Sequence, residues 1–296
     1  MVKRLAWTWT LIACLAVALA SCSRGPATDI LTTTTILADI ARNVAGDRLT
    51  VGSLLPTGAD PHAYQPVPQD AARVNQSEVL IIHSGGYEEF LDGLLENTEG
   101  QIMLIEASTG VRFRSGTQGE DATDPHVWLD PNNVIMYVDN IREGLAKFDP
   151  NGAEIYEANA SAYAHQLAEL DAWINAQVAQ IEPQRRVLVT NHEALGYFAE
   201  RYGFTVVGAV MPGFSSASSP SARQMADLIE QIQLHEVPAI FLDASDNPEL
   251  AQQIAAETGV KIVSDLHLES LTDGAPASTY INMMRDTVTK IVQALQ

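Results

Sequence analysis

Cysteine is almost missing from this chain: two residues in 296, Cys14 and Cys22, both close to the N-terminus. A thiolate metal site and a disulfide framework are therefore excluded for the body of the protein, because each needs several cysteines at workable spacing. Positive charge is also scarce. Seventeen Lys and Arg stand against 37 Asp and Glu, for a formal net charge of -20 and a pI near 4.5. Such a field repels nucleic acid and anionic surfaces and favours cations, so a DNA or RNA partner is excluded. Solubility is an equally good reason for the acidity. Signatures of catalysis are absent too: there is no G-x-S-x-G and no P-loop, and His192-Glu193 is only half of H-E-x-x-H, because position 196 is Gly. What is plentiful is apolar material, 46% of the residues, enough for one large core or two medium ones.

The longest uncharged apolar run, "LIACLAVALA", follows Lys3 and Arg4 and ends at "LASC". It is too short for a membrane-spanning helix of about 20 residues and has the form of a secretory leader. "LASC" resembles the bacterial lipobox, which implies that residues 1–21 are a signal peptide and that Cys22 becomes a lipidated first residue. Cys14 leaves with the leader. Residues 22–28 then read as a tether holding a soluble body near a membrane from outside the cytoplasm.

Beyond the tether, β-rich runs ("DILTTTT", "LTVGSLL", "EVLIIH", "QIMLIEA") alternate with segments of helical period ("ILADIARNVAG", "PQDAARVNQ", "EEFLDGLLEN"), and Val134 to Phe148 reads as a further helix. From Asp149 a long helix is predicted, with Asp149 as its cap and Ile155, Ala158, Ala162, Leu167, Leu170, Ile174, Val178 and Ile181 on one face, ended by Pro183. The second half repeats the first, with strands "RVLVT", "FTVVGAV", "AIFLD" and "VKIVSDL" and helices starting near Glu193, Ser221, Pro248 and Ser278. The expected fold is α/β: two lobes, residues 29–148 and 184–296, each with a mostly parallel sheet flanked by helices and joined by one backbone helix within 149–183.

In open parallel sheets ligands bind beyond the carboxyl ends of the strands. His62, His126 and His192 all fall there, and a fourth group is expected after "VKIVSDL". Two of these histidines sit in repeated Asp-Pro-His corners, Asp60 to His62 and Asp124 to His126. Proline limits loop freedom beside a side chain that must be held still. The two aspartates are either orienting partners for the rings or simple turn formers. His83, at the end of a strand, could approach the cleft, while His165 and His235 lie in helical segments and are set aside. Three imidazoles and a carboxylate make an N/O donor set suited to zinc.

The stretches "LLPTGADPHAYQPVPQD", "DPHVWLDP", "VTNHEALGYFAERYG", "SARQMADLIEQIQLHEVPAIFLD" and "ETGVKIVSDLHLESL" together resemble the metal-binding receptors of bacterial zinc and manganese ABC importers, the ZnuA/TroA-like solute-binding lipoproteins. The resemblance spans nearly the whole mature chain. It implies an ion held between the lobes by His62, His126, His192 and Glu269, Zn2+ or Mn2+ as transported ligand, and an ABC permease as partner; a monomer is expected. The fourth position departs from the family's usual aspartate, so Asp265 and His267 stand as reserves. The family's histidine-rich loop is missing: "RFRSGTQGEDATDPH" has no histidine before His126. Histidine at 192, where manganese-favouring members commonly place a carboxylate, points towards zinc. A zinc hydrolase and a surface adhesin are the alternatives from other functional classes.

Overall fold

The computed structural model describes residues 28–96, 102–115 and 123–296. The expected leader, Cys22 and the tether up to Ala27 lie outside the described residues.

Four parallel strands build the first sheet: β1 (Ile30–Thr32), β2 (Val51–Ser53), β3 (Val79–Ile82) and β4 (Met103–Glu106), in the order β2-β1-β3-β4. The second is wound the same way from β7 (Val187–Thr190), β8 (Thr205–Ala209), β9 (Ala239–Asp243) and β10 (Lys261–Leu266), in the order β10-β9-β7-β8. Between them a two-stranded antiparallel ribbon pairs β5 (Arg114–Ser115) with β6 (Thr123–Asp124). In each large sheet the second and third strands lie on opposite sides of the first. That reversal opens a crevice at the carboxyl ends of the strands.

The helices form where their punctuation says they should. Helix α1 (Thr35–Ala45) is capped by Thr34, whose hydroxyl accepts from the Leu37 N–H, and it stops at Gly46, where φ is 60°. Helices α2 (Pro68–Gln76) and α3 (Leu91–Leu95) complete the crossovers of the first half. Helix α4 (Pro131–Phe148) begins three residues before the predicted Val134, because Asp130 caps it through the Asn132 N–H and Pro131 supplies the first helical position.

The long helix is shorter than predicted. Asp149-Pro150 opens a 3-10 turn, and α5 runs over Ala153–Val178, 26 residues or about 39 Å. Asp149 does not cap it, since its carboxylate is taken by Arg48 and by the Tyr156 hydroxyl at 2.6 Å. The buried face also differs at its start: Tyr156, Ala160 and Tyr163 point inward, whereas Ile155 is 45% exposed and Ala158 and Ala162 face solvent. The tyrosine rings bury more apolar area than the smaller side chains they displace. The spine from Leu167 through Leu170, Ile174 and Val178 lies where the periodicity put it.

Helix α6 (Gly196–Tyr202) starts later than the predicted Glu193, since the Glu193 N–H is tied to the Gly213 carbonyl and the Thr190 hydroxyl to the His192 carbonyl. Helices α7 (Ala222–Leu234), α8 (Glu249–Thr258) and α9 (Tyr280–Leu295) follow Ser221, Pro248 and Thr279.

Strand period divides the apolar residues cleanly. Ile30, Val79, Ile81, Leu188 and Phe241 enter one central core with Tyr156, Leu167, Leu170, Tyr280 and Met283; Leu31, Leu80 and Ile82, and likewise Val189, Ile240 and Leu242, turn to smaller outer clusters. One apolar body therefore runs through both halves, with α5 packed on α1 and α4 on one side and on α9 and α6 on the other.

Candidate metal centre

Four side chains from four strand ends meet in the crevice. His62 follows β2, His126 follows β6, His192 follows β7 and Glu269 follows β10. Their candidate donor atoms all lie within 4.8 Å of one another. Nε2 of His126 is 3.3 Å from Nε2 of both His62 and His192. One oxygen, Glu269 Oε1, stands 3.1 Å from the His62 and His126 nitrogens and 2.8 Å from that of His192. A tetrahedral shell with bonds of about 2.0–2.1 Å has edges of about 3.3 Å, close to the distances that His126 Nε2 and Glu269 Oε1 make to the other donors. His126, His192 and Glu269 are buried, and the side chain of His62 keeps only 8% of its exposure. The His62 edge opens to a cavity of about 390 Å³ lined also by Glu89, Pro125 and Phe214.

The repeated Asp-Pro-His corner is now explained. In each copy the aspartate accepts the backbone N–H of the histidine two residues on, Asp60 Oδ1 from His62 at 2.9 Å and Asp124 Oδ1 from His126 at 3.0 Å. Both aspartates are turn formers of the Asx type. Only Asp124 also holds its ring, with Oδ1 2.9 Å from His126 Nδ1; the remaining oxygen of Asp60 accepts from Ser216 Oγ at 2.5 Å, in a loop of the second half. Nδ1 of His192 is buried and has no hydrogen-bond partner among the described residues.

Electrostatics bind the quartet. Burial would lower the His126 imidazole, but the hydrogen bonds and charges of Asp124 and Glu269 outweigh it and push it up to about 9. Burial would raise Glu269, yet the charges of His192 and His62 and the hydrogen bonds from His126 and His192 hold it well below the usual carboxylate range.

His83 is not part of the cluster. Its Nε2 is 2.9 Å from Thr34 Oγ1, its Nδ1 is 3.1 Å from the Tyr137 hydroxyl, and burial, with the charge of His126 adding to it, drives it down to about 3. It is a neutral core residue. Asp265 is exposed and carries φ of 63°, and neither it nor His267 joins the four. His165 and His235 are exposed.

Supporting residues escaped the sequence reading. The indole of Trp128 donates to the Leu268 carbonyl at 2.7 Å, and Asp243 Oδ2 accepts the Leu268 N–H at 2.6 Å, so the segment before Glu269 is gripped from both halves. Asp246 joins Asp243 to Asn191, beside His192, through bonds of 2.6 Å to each. Burial pushes Asp246 up to about 6, against the charge of His192. The "DASDN" turn at the end of β9 was the available signal, but turn aspartates are common and nothing local marks these as supports.

Two similarly wound parallel sheets with a polar quartet buried where their strand ends face each other define a two-lobed solute-binding protein. The family profile of the zinc-uptake complex component A, periplasmic (ZnuA), matches residues 30–294. The chain belongs to this family. It is 35% identical over 272 residues to the manganese-binding lipoprotein MntA of Halalkalibacterium halodurans, covering 92% of this chain and 89% of that one. It is 31% identical over 267 residues to the iron-binding protein YfeA of Yersinia pestis, covering 89% and 85%. Among solved structures, the periplasmic zinc binding protein TroA of Treponema pallidum superposes with a TM-score of 0.83 at 28% identity, covering 90% of this chain and 98% of that one. The Mn-bound periplasmic metal binding protein of Candidatus Liberibacter asiaticus gives 0.83 at 28% identity, covering 91% and 100%. The protein is thus an extracytoplasmic metal-binding component of ABC-type metal uptake and not an enzyme.

Proposed function

We propose that the protein captures one divalent transition metal through His62, His126, His192 and Glu269 and delivers it to the permease of an ABC importer, with zinc as the preferred cargo. The observation that carries this reading is the set of three Nε2 atoms and one carboxylate oxygen gathered within 4.8 Å, with His126 Nε2 and Glu269 Oε1 each 2.8–3.3 Å from the other ligands. Imidazole-rich tetrahedral sites suit zinc, whereas manganese favours octahedral shells of oxygen. Manganese is the second reading, favoured by the 35% identical relative named for binding that metal. Competitive titration of zinc against manganese on the demetallated protein, repeated with Glu269→Ala, tests both. Zinc displacing manganese stoichiometrically, with a large loss of zinc affinity in the variant, is the expected result; manganese retention in the presence of equimolar zinc defeats the zinc assignment.

In this reading residues 29–148 and 184–296 are the two lobes and the helix within 149–183 links them. Metal binding draws together ligands of both lobes. The shared core along α5, and the Trp128 and Asp243 grips on the Glu269 segment, keep that motion to a modest rocking. Cys22, lipidated after removal of residues 1–21, anchors the protein at the membrane surface beside its permease.

A further inference from the structure

His126 owes its orientation to Asp124, and Asp124 owes its own to residues on the other side of the cleft. Arg114 and Asp124 are cross-strand partners in the β5–β6 ribbon, so their side chains rise from the same face. The Arg114 guanidinium donates to the Gly196 carbonyl, lies 3.4 Å from Glu200 Oε2 and brings Nε to 4.0 Å from Asp124 Oδ2. Its backbone N–H donates to the Tyr197 hydroxyl at 2.9 Å, and that hydroxyl donates to the Asp124 carbonyl at 2.9 Å. Asp124 Oδ1 is fully used by His126, leaving Oδ2 as the oxygen that faces Arg114.

Gly196 closes the arrangement from the α6 side. A Cβ at that position would stand 2.6 Å from Asp124 Oδ2 and 3.1 Å from Arg114 Cζ, closer than side chains tolerate. Gly196 is the residue that breaks the H-E-x-x-H pattern, and the ribbon's approach gives the physical reason for glycine there. Asp124 is nearly inaccessible, with 2% of its side chain exposed against 32% for Arg114, so a small displacement of the carboxylate is not absorbed by solvent and is passed on to the ring it holds.

We propose that Arg114 and Gly196 are positioning residues for the metal site, setting the Asp124 carboxylate and through it the His126 ring, so that metal retention depends on the contact between the β5–β6 ribbon and α6. This rests on reading the quartet as the metal site. Partners that orient a ligating histidine typically govern about 10- to 100-fold of metal affinity.

The test is zinc affinity by chelator competition at fixed pH on the demetallated protein, for Arg114→Met, Gly196→Ala, Asp124→Asn and the doubles with Asp124→Asn, with His126→Ala as reference. Each single variant at 114 or 196 is expected to weaken zinc by about 10-fold, and to add less than about threefold once Asp124 is already Asn. The Cβ of Gly196→Ala crowds a buried carboxylate, so that variant is also expected to lower the thermal midpoint of the metal-free protein; the diminished effect in the Asp124→Asn background is what separates a positioning role from general destabilisation. Affinities within twofold of wild type, or an undiminished effect in the Asp124→Asn background, overturn the proposal. Should Arg114→Met fail to fold, Gly196→Ala decides alone. A His126→Ala variant that binds zinc as wild type does instead overturns the reading of the quartet, and the positioning role falls with it.

Discussion

Proton competition at His126 is the sharpest consequence of the site. In the metal-free protein the imidazole lies at about 9, with Nδ1 against Asp124 and Nε2 against Glu269. At pH 7 it therefore carries a proton on each nitrogen, and a metal must displace the one on Nε2. Two pH units below a value of about 9, on the order of 1% of the molecules have that nitrogen bare. Apparent affinity at pH 7 is then on the order of 100-fold below its alkaline plateau. Zinc affinity is expected to rise about tenfold per pH unit between about 6.5 and 8.5 and to level off above about 9. Close to one proton should be released per metal at pH 7. Chelator competition across this range gives the slope, and titration calorimetry in two buffers of different ionisation enthalpy counts the proton. A flat affinity profile, or no proton released at pH 7, refutes the reasoning. For the metal-free protein the linkage has the opposite sign. A histidine raised above its unfolded value of about 6.5 contributes stability fully present below about 6.5 and lost as pH rises through about 9. Glu269, held below its unfolded value, contributes stability that is present above about 4.3 and lost as pH falls through its folded value.

Further outcomes test the surrounding framework. Zinc at about 1,000 times its dissociation constant should stabilise the fold by about 4 kcal/mol, read as a rise in thermal midpoint that Glu269→Ala largely abolishes. Trp128→Phe leaves the buried Leu268 carbonyl without its donor and should cost about 1–3 kcal/mol in denaturant unfolding, with faster zinc release because Glu269 loses one of its two grips. His83→Gln should lower stability, by loss of the Thr34 and Tyr137 bonds in a fully packed site, while zinc affinity stays within about threefold of wild type; a large affinity loss there would make His83 part of the centre after all.

Much of this protein was legible in one dimension because its signals are local. Strand and helix periods are set by which neighbours a residue faces a few positions away, so the two parallel sheets and the helix starts near Ser221 and Pro248 could be read directly. Histidines placed just past strand ends could likewise be marked as candidates from chain position alone. Tertiary packing decided the rest. Whether Ile155 or Tyr156 faces inward depends on what α5 meets, and Asp149 lost its capping role to a distant Arg48. The two Asp-Pro-His corners are identical as text and share a turn, yet only Asp124 holds its ring, with its other oxygen facing Arg114 of the ribbon, while the other oxygen of Asp60 reaches across to Ser216. The convergence of His62, His126, His192 and Glu269 is likewise a property of two sheets facing each other: distances across a cleft are fixed by the packing of a shared core, which no spacing along the chain encodes.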